Sequence, residues 1–433
     1  MGRKILDSLA AKGDHFRAAA GANHHIEQGP GPVLEAEWTA AGLTLPDLGA
    51  MRRYRLDRVV EQLRRFDYGG IIVMDPMNIR YATDSTNMQV WVMHNAARYA
   101  WVGADRSVIV WDFYDCDFMA GHNELVDEVR PAVGATYFLA GPRYEEKARE
   151  WAAEMVEVIE AHAGAGARIA VDQCHYLSYR AMEDAGVKIG NGQEVMEQAR
   201  AIKGPDELAA MRCAVHACEA TLTDMREALV PGMTERQLWA RLHAGNIERA
   251  GEWIETQILA SGPRTNPWMQ EASSRVIDDG DMVGYDTDLV GAYGMMVDMS
   301  RTWVAGDAPI TAAQRHVHSL ARHQIEHNLE LLTPGRTFRE LMEQSWTPPL
   351  DDYRHYCVQY HGVGQCDEYP EIPFPEDWER TGFDGMLEPG MVLTVESYVG
   401  DREGRHEGVK LEEQVLVTES GPDCLTGYPL DLR

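Results

Sequence analysis

Apolar residues recur every three or four positions in MRRYRLDRVVEQLRRF, residues 51–66, and that period predicts an amphipathic helix. GGIIVMD follows as a short apolar run suited to a buried strand, and RYAWVG and SVIVWDFYD repeat the signal. A helix through YEEKAREWAAEMVEVIEAHAG and a strand at ARIAVD continue the alternation, which implies a layered α/β domain over residues 46–203. Residues 1–45 lack such a period. Charged and Ala-rich, broken by EQGPGP and ending at LTLPDLG, they read as an arm packed on its own domain or on a neighbouring subunit.

A second domain is predicted over residues 204–433. Gly204 and Pro205 break the chain, and Asp206 is placed to cap a helix whose apolar residues keep helical spacing. Cys213 and Cys218 flank His216 on that helix, but their spacing does not put both sulfurs on one face, so they read as core. TERQLWARLHAGNIERAG and AAQRHVHSLARHQIEHNLELL are further helices, and the rest is mostly strands joined by loops rich in Gly and Pro.

Composition narrows the partners. A chain of 433 residues with 45% hydrophobic content has enough apolar material for two cores. Its formal charge of −29 opposes nucleic acid and anionic membrane surfaces by Coulomb repulsion, which favours a small molecule as the partner. The N-terminus has no apolar signal-peptide core, no stretch approaches the roughly 20 apolar residues of a membrane span, and the expectation is a cytoplasmic protein. Seven scattered cysteines without a CxxC pair read as reduced thiols.

The chemistry concentrates in the last third. Asp286 in GDMVGYDTD, Asp298 in MMVDMSRTW, His361 in YHGVGQCDEYP, Glu396 in LEPGMVLTVES and Glu412 in GVKLEEQVLVTE each sit in a segment shaped to aim them. The turn at GAYG lets the first two strands pair, which brings Asp286 or Asp288 beside Asp298, while Glu396 and Glu412 emerge from sheet. Each acid taken singly reads as a solvated strand edge; the set, with one imidazole, suits divalent iron, manganese or zinc, and two bridging carboxylates can hold a pair of ions. Asp288 lies two residues beyond Asp286 on the same strand face, and a sixth ligand, again an oxygen, suits octahedral iron or manganese better than tetrahedral zinc. The rival motif HQIEH, with His323, Glu326 and His327, matches an inverted zinc-peptidase pattern, but it is flanked by Arg, Gln and Asn and reads as a solvated helix face, as do His316 and His318.

The ordered set Asp, Asp, His, Glu, Glu resembles the creatinase, proline-peptidase and methionine-aminopeptidase family over residues 50–420, and most closely its dimethylsulfoniopropionate lyase branch. The resemblance implies a pita-bread C-terminal metal domain after a smaller α/β domain, and a homodimer in which the N-terminal domain of one subunit borders the site of the other. It places Asp286 in the first ligand position and, in the lyase branch, Asp288 in the metal shell. Two departures separate this chain from peptidases. ASGPRTNPWMQEASSR has no histidine where they carry one, with Trp268 near that place, and QCDEYP offers Asp367, backed by Glu368, in place of a second histidine. Without those imidazoles amide hydrolysis lacks its acid, whereas elimination of dimethyl sulfide from a zwitterionic sulfonium carboxylate needs only a base. Asp367 is the candidate base, with orientation of His361 as its other reading. Trp268, Tyr356 and Tyr360, with Trp91 of the first domain, are candidate aromatic faces for the sulfonium. The competing functions are a metal-dependent Xaa-Pro peptidase, a creatinase-like amidinohydrolase, or a binding protein that has lost catalysis.

Overall fold

The computed structural model describes residues 29–433 apart from 115 and 122, so residues 1–28 of the expected arm lie outside the described residues. Two compact units emerge, one holding Asp47–Arg200 and the other Gly29–Pro46 with Ala201–Arg433. The described part of the arm therefore joins the C-terminal unit. Trp38, in the helix Gly31–Ala40, is 1% exposed and meets Tyr293 at 6.2 Å between ring centroids.

The N-terminal unit is a six-stranded mixed sheet, in the order Glu128–Pro131, Val108–Asp112, Tyr99–Gly103, Gly70–Val73, Arg168–Val171, Lys188–Asn191. Its central strands are apolar on both faces because helices cover both. Ile71, Val73, Ala100 and Val102 pack with Leu56, Val59 and Leu63 of the helix Leu48–Arg65. Ile72, Trp101, Ile109 and Trp111 pack with Trp151 and Met155 of the helix Tyr144–His162. These are the predicted layers.

Buried guanidiniums stiffen this unit. Arg52 Nε lies 2.7 Å and Arg80 Nε 3.4 Å from the Asp84 carboxylate, and Arg98 Nε lies 2.9 Å from that of Asp112. Burial pushes the Asp84 pKa up, but Arg80, Arg52 and Arg55 outweigh it and hold the group below the ordinary carboxylate value.

The C-terminal unit opens with the helix Pro205–Ala228. Its N-cap is Gly204 rather than Asp206, since Pro205 takes the first helical position and the Glu207 carboxylate accepts the Gly204 N–H at 3.0 Å. Asp206 falls instead in the first turn. Three sheets follow. One joins Ser300–Val304, Met282–Asp286 and Leu259–Ser261, and a second joins Met296–Val297, Leu289–Val290 and Trp253–Ile254. The third runs Asp367–Ile372, Tyr360–Val363, Val392–Asp401, Val409–Thr418, Gly421–Cys424, with Tyr353–Arg354 pairing beside Val392–Asp401. The helix Ala312–Leu329 covers one face of this third sheet, where Val317, Ala321 and Ile325 pack with Leu393, Val395 and Leu411. No helix of the described residues is long and apolar enough to cross a membrane.

Asp84→Asn should lower the stability of the N-terminal unit by about 3–5 kcal/mol, because it leaves guanidiniums buried without their anion. Urea unfolding followed by tryptophan fluorescence measures this. The depressed pKa fixes the sign with pH: the Asp84 contribution is complete above the unfolded value near 4 and is lost as pH falls through the folded one, so the variant should lose less stability in acid than the parent.

Candidate metal centre

Strand alternation aims the ligands. In the antiparallel pair Val392–Asp401 and Val409–Thr418, odd-numbered apolar residues enter the core under the helix, and even-numbered residues face the other way. Register sets Thr394 opposite Gln414, Glu396 opposite Glu412, and Tyr398 opposite Lys410. A slip of one residue would turn every one of them into the core. The neighbouring strand Tyr360–Val363 brings His361 alongside through the pairing of Gly362 with Leu393.

The second group of candidate ligands sits on the predicted hairpin. Asp286 pairs with Ser300, and Leu289 pairs with Val297, so one register runs through both ladders and sets Asp288 across from Asp298. Between the ladders the strand breaks, with Asp288 at φ 37° in the left-handed region and the Thr287 hydroxyl bridging the gap to the Val297 carbonyl at 2.8 Å and the Met299 N–H at 3.0 Å. Asp288 therefore does not simply repeat the aim of Asp286 along a continuous strand. It accepts a hydrogen bond from the Thr256 hydroxyl.

The groups converge on His361. Its Nε2 lies 3.2 Å from Glu396 Oε1, 3.4 Å from Asp298 Oδ2 and 3.8 Å from Glu412 Oε1. Two sets of three have ligand atoms within 4.8 Å of one another and unite five of the six expected residues, all but Asp288: His361, Glu396 and Glu412, and Asp286, Asp298 and Glu412. A third joins Asp298, His361 and Asp367. The arrangement fits cations. Asp286 Oδ1, Asp298 Oδ1 and Glu412 Oε1 are buried without a hydrogen-bond partner, a state that costs several kcal/mol per ion unless a positive charge meets it.

Crowding shows in the proton affinities. Burial first, then Glu412, raises Asp286 to about 6; burial and Asp286 raise Asp288 to about 9; burial and Glu396 raise Glu412 to about 7. Burial and the Glu412 charge also push Asp298 well above the carboxylate range. For His361 burial pulls downward, but Glu396, Asp367 and Glu412 overcome it and lift the imidazole to about 10.

One participant escaped the sequence reading. Lys410 Nζ is fully buried, 2.7 Å from Glu396 Oε2, 3.2 Å from Asp286 Oδ2, 3.2 Å from Glu412 Oε2 and 2.6 Å from Ser300 Oγ. Burial opposes its charge, yet those three carboxylates hold the ammonium firmly protonated. Period-two alternation in VKLEEQVLV already puts Lys410 on the Glu412 face, and that signal was sufficient to find it.

Asp367 opens the strand Asp367–Ile372, its side chain 58% exposed and its Oδ1 3.5 Å from His361 Nδ1. That nitrogen lies closer to the Gly362 carbonyl, at 3.1 Å, while Nε2 is turned toward the carboxylates. Burial raises the Asp367 pKa, against the lowering effect of His361.

The aromatic candidates divide. The Tyr356 ring faces Lys410 Nζ at 4.4 Å and so borders the centre. Trp268 stacks on Tyr398 at 5.9 Å and covers Gly284, where an added Cβ would come within 2.9 Å of its ring. Gly284 lies two residues before Asp286, on the same strand face. Tyr360, expected at the substrate, instead points into the apolar core, with its hydroxyl 2.6 Å from Ser345 Oγ, because it is the immediate neighbour of His361 in an alternating strand and takes the opposite face. Trp91 lies in the N-terminal unit against Phe113 and Phe138, at 5.7 and 6.0 Å. The HQIEH residues are not among the groups with metal-ligand geometry: the His323 and His327 rings lie 6.1 Å apart, Glu326 pairs with Arg322 at 2.7 Å and His323 meets Trp346 at 4.5 Å. Cys213 and Cys218 are buried free thiols.

Residues 209–419 match the model of metallopeptidase family M24. The chain belongs to that family and has its pita-bread fold. Within it, the chain is 46% identical over 417 residues to the dimethylsulfoniopropionate lyase DddP of Roseovarius nubinhibens, covering 94% of this chain and 93% of that protein. Identity to the lyase of the same name from Roseobacter denitrificans is 42% over 419 residues, with 94% and 92% covered. Among solved structures, an Xaa-Pro dipeptidase from Bacillus anthracis superposes with a TM-score of 0.69 at 20% identity, over 87% of this chain and 98% of that one. At that identity the likeness speaks for the fold alone.

The raised acids give a signed prediction. Groups whose folded pKa lies above the unfolded value contribute stability that is complete at low pH and lost as pH rises through the folded value. Protein stripped with a chelator should therefore melt at progressively lower temperature as pH climbs through the values of Asp286 (about 6), Glu412 (about 7) and Asp288 (about 9). Added manganese or ferrous iron should raise and flatten that dependence in differential scanning fluorimetry.

Proposed function

We propose that this chain is a carbon–sulfur lyase that cleaves dimethylsulfoniopropionate to dimethyl sulfide and acrylate by β-elimination. The carrying observation is Asp367. It stands at the edge of the carboxylate cluster, half-exposed, and the Gly362 carbonyl lies nearer to His361 Nδ1, at 3.1 Å, than Asp367 does at 3.5 Å. A carboxylate so placed is available as a base. The likeness to proteins named as lyases over nearly the whole chain supports the same reading.

Asp286, Asp298, His361, Glu396 and Glu412 would hold divalent ions, with Asp288 beside Asp286 as a further donor, and such ions would supply Lewis acidity toward the substrate carboxylate; this donor set suits iron or manganese. Asp367 takes the proton from the carbon next to that carboxylate. The electron pair released forms the double bond of acrylate while the C–S bond breaks, and dimethyl sulfide leaves as a neutral thioether that requires no proton. Asp367 then returns its proton to water. Its raised pKa strengthens it as a base once ionised. Trp268 and the face of Tyr356 turned away from Lys410 supply aromatic surface to the sulfonium; Tyr360 has no part. The proposal includes a homodimer and a cytoplasmic location, the latter supported by seven cysteines that form no disulfide, which suits a reducing compartment.

Headspace gas chromatography with the sulfonium substrate, beside a dipeptide hydrolysis assay on the same metal-loaded sample, tests the reading. Dimethyl sulfide without dipeptide cleavage is expected, and the reverse would establish a peptidase. Asp367→Asn should lower kcat by about 10²–10⁴ with metal content unchanged in elemental analysis. Parallel loss of metal and activity would show that Asp367 serves His361 instead. Trp268→Leu should raise KM by about 5–30-fold with little change in kcat, the equivalent of about 1–2 kcal/mol of cation–π attraction.

A further inference from the structure

We infer that Lys203 is a positioning residue for the catalytic turn, acting through Glu368. The inference rests on the reading of Asp367 as the base and extends it to what holds that base in place.

Asp367 follows a tight turn, in which the Gly364 N–H donates to the Cys366 carbonyl at 3.1 Å. Its neighbour Glu368 is 7% exposed. Alternation along the strand Asp367–Ile372 puts consecutive side chains on opposite faces, so Glu368 lies behind the turn while Asp367 faces His361. The two oxygens of Glu368 have different tasks. Oε1 accepts the Gln365 N–H at 3.0 Å, which closes the turn from the back, and Oε2 receives Lys203 Nζ at 2.9 Å. The side chains of Lys203 and Glu368 are 3% and 1% exposed. Lys203 is itself anchored, its N–H donating to the Gly390 carbonyl at 2.9 Å.

The turn is built around this carboxylate. A Cβ at Gly364 would collide with both Glu368 oxygens, so the glycine makes room for the pair. The Gly364 carbonyl in turn accepts the Met296 N–H at 2.8 Å, which ties the same turn to the segment leading into Asp298. A buried ion pair is an expensive way to gain stability, since apolar residues of like volume often serve as well. Its distinctive effect is directional: two donors converge on one carboxylate and fix the backbone that carries Asp367. Displacement of a catalytic group by about 1 Å can cost about 100-fold in rate.

The test is Lys203→Met in the full-length, metal-loaded enzyme, with Lys203→Arg as the conservative variant and the double variant Lys203→Met/Glu368→Gln, which removes both charges of the pair. Lys203→Met should lower kcat by about 100-fold while KM stays within about twofold and metal content is unchanged. Hydrogen–deuterium exchange should quicken in residues 364–367, and Lys203→Arg should restore most of both the rate and the protection. The double variant should melt near the parent temperature yet keep the low kcat. Wild-type kcat in Lys203→Met, or a loss of rate that merely follows folded fraction or metal content with unaltered exchange at 364–367, would overturn the assignment. Exchange needs no substrate, so a parent enzyme that releases no dimethyl sulfide would reject the lyase reading without touching the link from Lys203 to the turn.

Discussion

The structure of the C-terminal unit depends on forcing like charges together out of water. Asp286, Asp288, Asp298, Glu396 and Glu412 are all 7% exposed or less, and they share the neighbourhood of one imidazole and one ammonium. Nothing in the apolar core recommends such a cluster. It persists because Glu396 and Glu412 come from paired strands whose other face is committed to packing under the helix Ala312–Leu329, so these acids cannot turn away without exposing Leu393, Val395 and Leu411. Hydrophobic burial thus holds the carboxylates where electrostatics alone would disperse them.

Lys410 shows how the strain is divided. It reaches the Oδ2 and Oε2 atoms of Asp286, Glu396 and Glu412, while Asp286 Oδ1 and Glu412 Oε1 are left without hydrogen-bond partners. The lysine thereby orients the carboxylates as well as offsetting part of their repulsion. Behind the hairpin, Lys203 and Glu368 form a second buried pair on the other side of the turn that bears Asp367.

Much of this was legible in the chain. Alternation in MVLTV and VKLEEQVLV put Glu396 and Glu412 on a common face, and the turn at GAYG correctly paired the strands of Asp286 and Asp298. The same alternation, applied one step further, would have claimed Lys410 and released Tyr360 to the core. Asp288 was harder, because a left-handed residue breaks the strand at a position where period-two reasoning assumes continuity. The grouping of Gly29–Pro46 with the C-terminal unit depends on contacts such as Trp38 with Tyr293, separated by most of the chain and invisible to local pattern. So does the partnership of Lys203 with Glu368.

Asp367 differs from the metal donors in one structural respect: it sits at a strand end, half in solvent, while the cluster behind it is sealed. Hydrolytic cousins are expected to carry histidine there, and the codons for histidine and aspartate differ by a single base. On the proposed reading, exchange of a proton-donating imidazole for a proton-accepting carboxylate at this exposed strand end leaves the sealed carboxylate cluster unchanged, which makes the hairpin tip the place where new chemistry enters this scaffold with the least rebuilding.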